Sequence, residues 1–184
     1  MNPRRKLYFL IALLILAAFA LSCGATNKAN KLIDEGNADV KDGEKLAVDA
    51  DAKITQLDNS LADFPANRDQ LKGTAQEAMD LLDKGIAKLR EASSKFDEGS
   101  KLNLDAPLKD YLTLKSQEFT KHAEHLEALK DYPMAIMDNS VDRNALVDKV
   151  TDIKARVEKL QKEWTDLAQR ADKIEQENKS KFKS

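Results

Sequence analysis

Residues 29–64 read ANKLIDEGNADVKDGEKLAVDADAKITQLDNSLADF. Within this stretch Ala29, Ile33, Gly36, Val40, Gly43, Ala47, Ala50, Ile54, Leu57, Leu61 and Phe64 are spaced alternately four and three residues apart, without a slip. Such spacing averages about 3.5 residues and lays the apolar positions along one stripe of a long helix, as the a and d positions of a heptad. Ile33, Val40, Ala47, Ile54 and Leu61 take a, and the small residues collect at d. Pro65 ends the pattern, because proline lacks the amide hydrogen a continuing helix needs.

The same rhythm recurs three times downstream. Leu71, Ala75, Ala78, Leu82, Gly85, Leu89, Ala92, Phe96 and Gly99 form a second stripe, which Gly99 is expected to close as a C-terminal cap. Leu108, Leu112, Lys115, Phe119, His122, Leu126 and Leu129 form a third, entered through Asp105 as N-cap with Pro107 in the first turn. Pro133 should end this third helix and leave Met134, Ile136 and Met137 in an apolar loop over one end of the fold. The fourth stripe is Leu146, Val150, Ile153, Val157, Leu160, Trp164, Leu167, Ala171 and Ile174. No segment alternates as a strand does.

The expected fold is therefore all-α, a four-helix antiparallel up-down bundle with coiled-coil-like seams. Its helices should cover about residues 26–63, 67–98, 106–131 and 140–180. A helical repeat or a three-helix elongated bundle is the alternative. A third helix shorter than the first and fourth would leave part of their seams without a fourth neighbour, three-stranded or covered by another copy or a partner. Gly36, Gly43 and Gly85 at d favour close helix–helix approach over hinges, and Gly73 lies inside the second helix. Leu32-Ile33-Asp34-Glu35-Gly36 resembles Leu81-Leu82-Asp83-Lys84-Gly85, which reads as an old duplication or as recurring seam chemistry.

The chain begins with a basic MNPRRK segment, then an uncharged run LYFLIALLILAAFAL over residues 7–21, then Ser22-Cys23-Gly24-Ala25. A basic start, an apolar core and a small-residue exit make an export signal. Its fifteen uncharged residues fall short of the ~20 that cross a bilayer as a helix. Cys23, the only cysteine, stands at the end of the run. This segment resembles the signal of bacterial lipoproteins, whose lipobox places an acylated cysteine first in the mature chain. That family favours Leu three residues before the cysteine; here Ala20, Leu21 and Ser22 precede it, with Leu one place late. The resemblance covers residues 1–24. It implies removal of residues 1–22, a single helical domain over 23–184, palmitate-type acylation of Cys23 and anchorage in the cell envelope. In a two-membrane bacterium Gly24, not being Asp, implies sorting to the periplasmic face of the outer membrane. Cleavage after Ala18-Phe19-Ala20, or an uncleaved anchor running to Ala25, are the other outcomes.

Composition narrows the function. The chain of 184 residues has 30 basic and 32 acidic residues. Without Arg4, Arg5 and Lys6 the balance is 27 to 32, or −5. An acidic body with 5% aromatics lacks the basic patch and stacking platforms of a nucleic-acid binder. One cysteine excludes an intrachain disulfide. No phosphate loop, nucleophile elbow or H-E-x-x-H stands in the chain, and no carboxylate pair is set for acid–base work.

Glu118, His122 and His125, spaced four and three, share one helix face. One carboxylate and two imidazoles suit Zn²⁺ or another divalent metal, or a proton-sensitive seam. Against that stands a simple seam histidine at His122 with a boundary histidine at His125, and no cofactor is expected. Lys179, Lys181 and Lys183 around Phe182 suggest contact with anionic headgroups or a solvated tail. The expected function is a non-enzymatic, lipid-anchored envelope module that binds an envelope protein or itself. The alternative is an envelope metal- or proton-sensing protein built on Glu118, His122 and His125.

Overall fold

The computed structural model describes residues 3–179, with side chains from Gly24 onward. Four helices follow one another: α1 (Pro3–Asn59), α2 (Arg68–Ser100), α3 (Ala106–Met137) and α4 (Arg143–Glu177). A short 3-10 turn (Leu61–Asp63) follows α1, and no strand occurs among the described residues. Consecutive helices pack antiparallel, α1 on α2, α2 on α3 and α3 on α4, which is the expected up-down bundle.

Several boundaries differ from the sequence reading. α1 starts upstream of residue 26, since no proline interrupts the chain between Pro3 and Pro65. It ends at Asn59, before Pro65, with the Ser60 hydroxyl donating to the Gln56 carbonyl. α3 runs through Pro133 to Met137 and is 32 residues long, close to the 33 of α2 and 35 of α4. A proline inside a helix costs about 3 kcal/mol. Here Pro133 is itself fully buried, and Tyr132, Ala135 and Ile136 bury beside it, which offsets that cost. The apolar segment expected as a loop is thus the last turn of α3, and the third helix is not short. Gly99 is buried inside α2, where a Cβ would stand 3.2 Å from a Leu112 methyl, and does not cap the helix; Lys101 is the C-cap. α4 starts one residue after Asp142, whose side chain accepts from the Ala145 amide at 2.8 Å, a regular N-cap.

Burial grades across the four helices. In α2 every residue of the expected stripe is buried, with Ile86 and Ser93 added, so α2 is sandwiched between neighbours. In α1 the d column (Ala29, Gly36, Gly43, Ala50, Leu57) is buried together with Leu32 and Asp39. The a column (Ile33, Val40, Ala47, Ile54) is only half-covered. The stripe is rotated in this way because α1 has one full neighbour, α2; its a column only edges the α1–α2–α3 cluster, and at Ile54 it borders a cavity lined on the far side by Val150, Ile153 and Val157 of α4. The α1 and α4 backbones do not pack on one another. In α4 itself Leu146 and Ala171 are buried, and Val150, Ile153, Val157, Leu160, Trp164, Leu167 and Ile174 are half-buried. The seam expected to lack a neighbour does lack one, through this arrangement and not through a short third helix.

Two apolar clusters result. The first joins α1, α2 and α3 around Leu82, Leu89, Phe96, Leu112, Phe119 and Leu126, with Phe96 stacked on Phe119 at 5.5 Å. The second closes the opposite pole with all four helices: Leu57, Leu71, Ala75, Tyr132, Ile136 and Leu146, plus Phe64 and Val141 from the connections. Arg68 ties those connections together. Its guanidinium donates to the carbonyls of Val141 and Asn139 and lies 4.7 Å over the Phe64 ring. Gly24 and Lys179 lie at the other pole, where α1 around Lys28, which pairs with Glu98, and the first turns of α3 meet the last turns of α2 and α4.

Candidate functional site

The residues singled out on α3 fall in its contact with α4, where the antiparallel helices bring Trp164 opposite His122. The His122 ring stacks on the Trp164 indole, with centroids 4.6 Å apart and planes 13° from parallel. His125 lies one turn on, its ring centroid 6.1 Å from that of His122. Its Nδ1 is 3.2 Å from the Val157 carbonyl oxygen of α4, so this nitrogen carries the hydrogen and donates. Glu118 is buried beside Lys115, whose Nζ lies 2.8 Å from Oε2. Lys115 also sits 4.6 Å over the Phe119 ring.

Electrostatics follow from this burial, because taking a charge out of water disfavours the charged form. His122 is pushed down to about 4, chiefly by burial and secondarily by His125. Burial also lowers His125, against the pull of the Val157 carbonyl. Burial raises the Glu118 carboxyl, Lys115 opposes the rise, and Asp172 of α4 and Glu44 of α1 reinforce it. At neutral pH the α3–α4 seam thus holds two uncharged imidazoles.

The three candidate ligands are therefore each engaged elsewhere: Glu118 by a lysine, His122 by an aromatic ring, His125 by a carbonyl. Among the described residues no group of three His, Cys, Asp or Glu side chains is placed to hold a metal ion.

Two further polar sites escaped the sequence reading. Asp39, on the buried side of α1, is held between Lys88 at 3.0 Å and Lys95, both on α2. Burial pushes its carboxyl up, but the hydrogen bonds and charges of Lys95 and Lys88 prevail and hold it below the ordinary carboxylate value. The Tyr132 hydroxyl donates to Asp58, joining α3 to α1. The only signal for Asp39 is its place one column from the a stripe, which a helix with neighbours on both sides would leave in solvent.

The Cys23 side chain and the Lys181-Phe182-Lys183 tail lie outside the described residues. From Gly24 onward, no described helix is long and apolar enough to cross a membrane. Comparison with known proteins finds no matching family model, no matching curated protein and no matching solved structure.

Proposed function

We propose that this chain is a lipid-anchored, non-enzymatic module of the bacterial cell envelope that presents a helical bundle to an envelope protein or to a second copy of itself. The observation that carries this reading is the basic–apolar–small segment ending in Cys23, in one continuous helix with the stretch of α1 that runs the length of the bundle. An acyl chain contributes about 0.8 kcal/mol per buried CH₂, so two or three chains on one thiol hold stably. With about 1.5 Å of rise per residue, the end of α1 at Asn59 then stands ~50 Å from the tether. The four-helix pole with its two connections faces outward, and the tethered pole holds the Gly24 stretch of α1 and the end of α4.

A binding role also fits the polar groups. The buried Asp39 and Glu118 are neutralised by lysines and His125 serves a backbone carbonyl, so their chemistry holds helices together. The half-covered α4 stripe is the surface available to a partner helix. In a two-membrane source Gly24 directs the protein to the periplasmic face of the outer membrane.

The test is Cys23→Ser in intact cells fed a labelled fatty acid. Label in the wild-type band, loss of label in the variant and its release from carbonate-washed membranes are expected. A wild-type Cys23 found unacylated by mass spectrometry, or a variant that stays in washed membranes, overturns the lipid anchor.

A further inference from the structure

α4 is attached unevenly. At its N-terminal end Leu146 enters the four-helix cluster, and Arg143 donates to the Ala62 carbonyl at 3.4 Å. Beyond that turn Ala171 is its one fully buried residue among those described. The first apolar cluster, which joins α1, α2 and α3, contains no α4 residue among those described. The other three helices thus keep their own core whether or not α4 lies on them. Between its anchored end and Ala171, α4 meets α3 through His122 on Trp164, His125 on the Val157 carbonyl and the polar contacts of Arg156 and Glu163, while Val150 and Ile153 rest on the second cluster.

We propose that α4 beyond its anchored first turns is a hinged arm, which docks on α3 through His122 and His125 and swings free when these two imidazoles take up protons. Release turns the Ile153, Val157, Leu160, Trp164 and Leu167 stripe outward and uncovers the α3 strip beneath it.

The sign follows from where each ring stands. Docked, His122 is held down to about 4 and His125 is lowered as well. Released, both return toward the ordinary value of about 6.5. The released arm therefore binds protons more readily, and acid favours it. Through His122 alone the ratio of released to docked arm rises on the order of 50–100-fold between pH 7.5 and pH 4.5.

The other charges around this seam act less or in the opposite sense. From α4, Glu163 pairs with Lys121 at 3.5 Å and Arg156 pairs with Asp131. Both pairs are at least a third exposed, and such pairs contribute little. On α3, Glu118 is raised by burial, so acid stabilises it in the docked form, opposing release; Lys115, Asp172 of α4 and Glu44 of α1 surround it. The charges of α2 engage α3 elsewhere, Arg90 with Glu127 and Asp83 with Lys130. Substituting the imidazoles alone separates their contribution from all of these.

The experiment is hydrogen exchange of the full chain in detergent micelles at pH 7.5 and 4.5, corrected for intrinsic rates. Protection in residues 150–176 is expected to fall on the order of 50–100-fold at the lower pH, with α2 unchanged. In His122→Phe/His125→Gln the fall should shrink below about fivefold. His122→Phe alone, which keeps a ring against Trp164, serves if the double variant does not fold, and it too should lose most of the response. Unchanged protection in α4, loss spread equally over α2 and α4, or the same fall in the histidine variants each overturns the proposal. None of these outcomes depends on the lipid anchor.

Discussion

Replacing Gly36 by alanine tests how closely α1 and α2 approach. A Cβ built at Gly36 lies 2.9 Å from Phe96 Cζ and 3.1 and 3.3 Å from its two Cε atoms. The Phe96 ring has no accessible surface and stacks on Phe119, so it has nowhere to move without disturbing a second ring. Alanine gains about 1 kcal/mol over glycine inside a helix. Overpacking a filled core costs about 1–3 kcal/mol. Gly36→Ala should therefore destabilise by up to ~2 kcal/mol net. Gly73, inside α2 with nothing within 4 Å of its Cβ position, isolates the propensity gain. Gly73→Ala should stabilise by about 0.5–1 kcal/mol. Urea unfolding of both variants followed by far-UV circular dichroism measures the difference, expected at about 1–3 kcal/mol. A double-mutant cycle with Phe96→Leu should recover part of the Gly36→Ala cost, because the shorter side chain withdraws the clashing atoms. Equal stabilisation by Gly36→Ala and Gly73→Ala would refute the close approach, and with it the packing of α1 on α2 through its glycines.

The other expectations concern the polar and apolar joints. Asp39→Ala leaves Lys88 and Lys95 without their shared partner and should cost about 1–3 kcal/mol in chemical denaturation. Because Asp39 is held below the ordinary value of 3.8, its contribution is complete above that value and lost as pH falls through the lowered one; Asp39→Asn should flatten that acid limb. Arg68→Ala removes the link between the two connections at the closed pole, and should cost about 1–3 kcal/mol and speed proteolysis at residues 138–142. Leu57→Ala, at a site with no exposure, should cost about 2–5 kcal/mol, whereas Val147→Ala, 59% exposed, should stay within about 0.5 kcal/mol in thermal melts.

Much of the architecture was legible in residue spacing. The nine-residue stripe of α2 is buried throughout, and the d column of α1 meets α2 where the glycines permit it. Local signals failed where burial outweighed them. Pro133 is a helix breaker by intrinsic preference, but the buried turn around Tyr132 and Ile136 keeps the helix going. Gly99 looks like a cap, but packs inside α2 against Leu112. The face shared by Glu118, His122 and His125 was evident from their spacing; what each would touch was not, because Trp164 and Val157 stand on another helix, 42 and 35 residues beyond His122.

Taken alone, the sequence settles that the chain forms long amphipathic helices with these apolar edges, because a heptad rhythm is a local property of which residues share a face. Only the tertiary structure decides how those edges are shared out. α2 is enclosed on both sides, while the a column of α1 and the stripe of α4 are only half-covered. Residues at identical heptad positions become core or surface according to how many neighbours a helix has, and a lone aspartate becomes buried when two lysines on the next helix reach it. That count of neighbours depends on contacts between residues far apart in the chain, which no local spacing encodes.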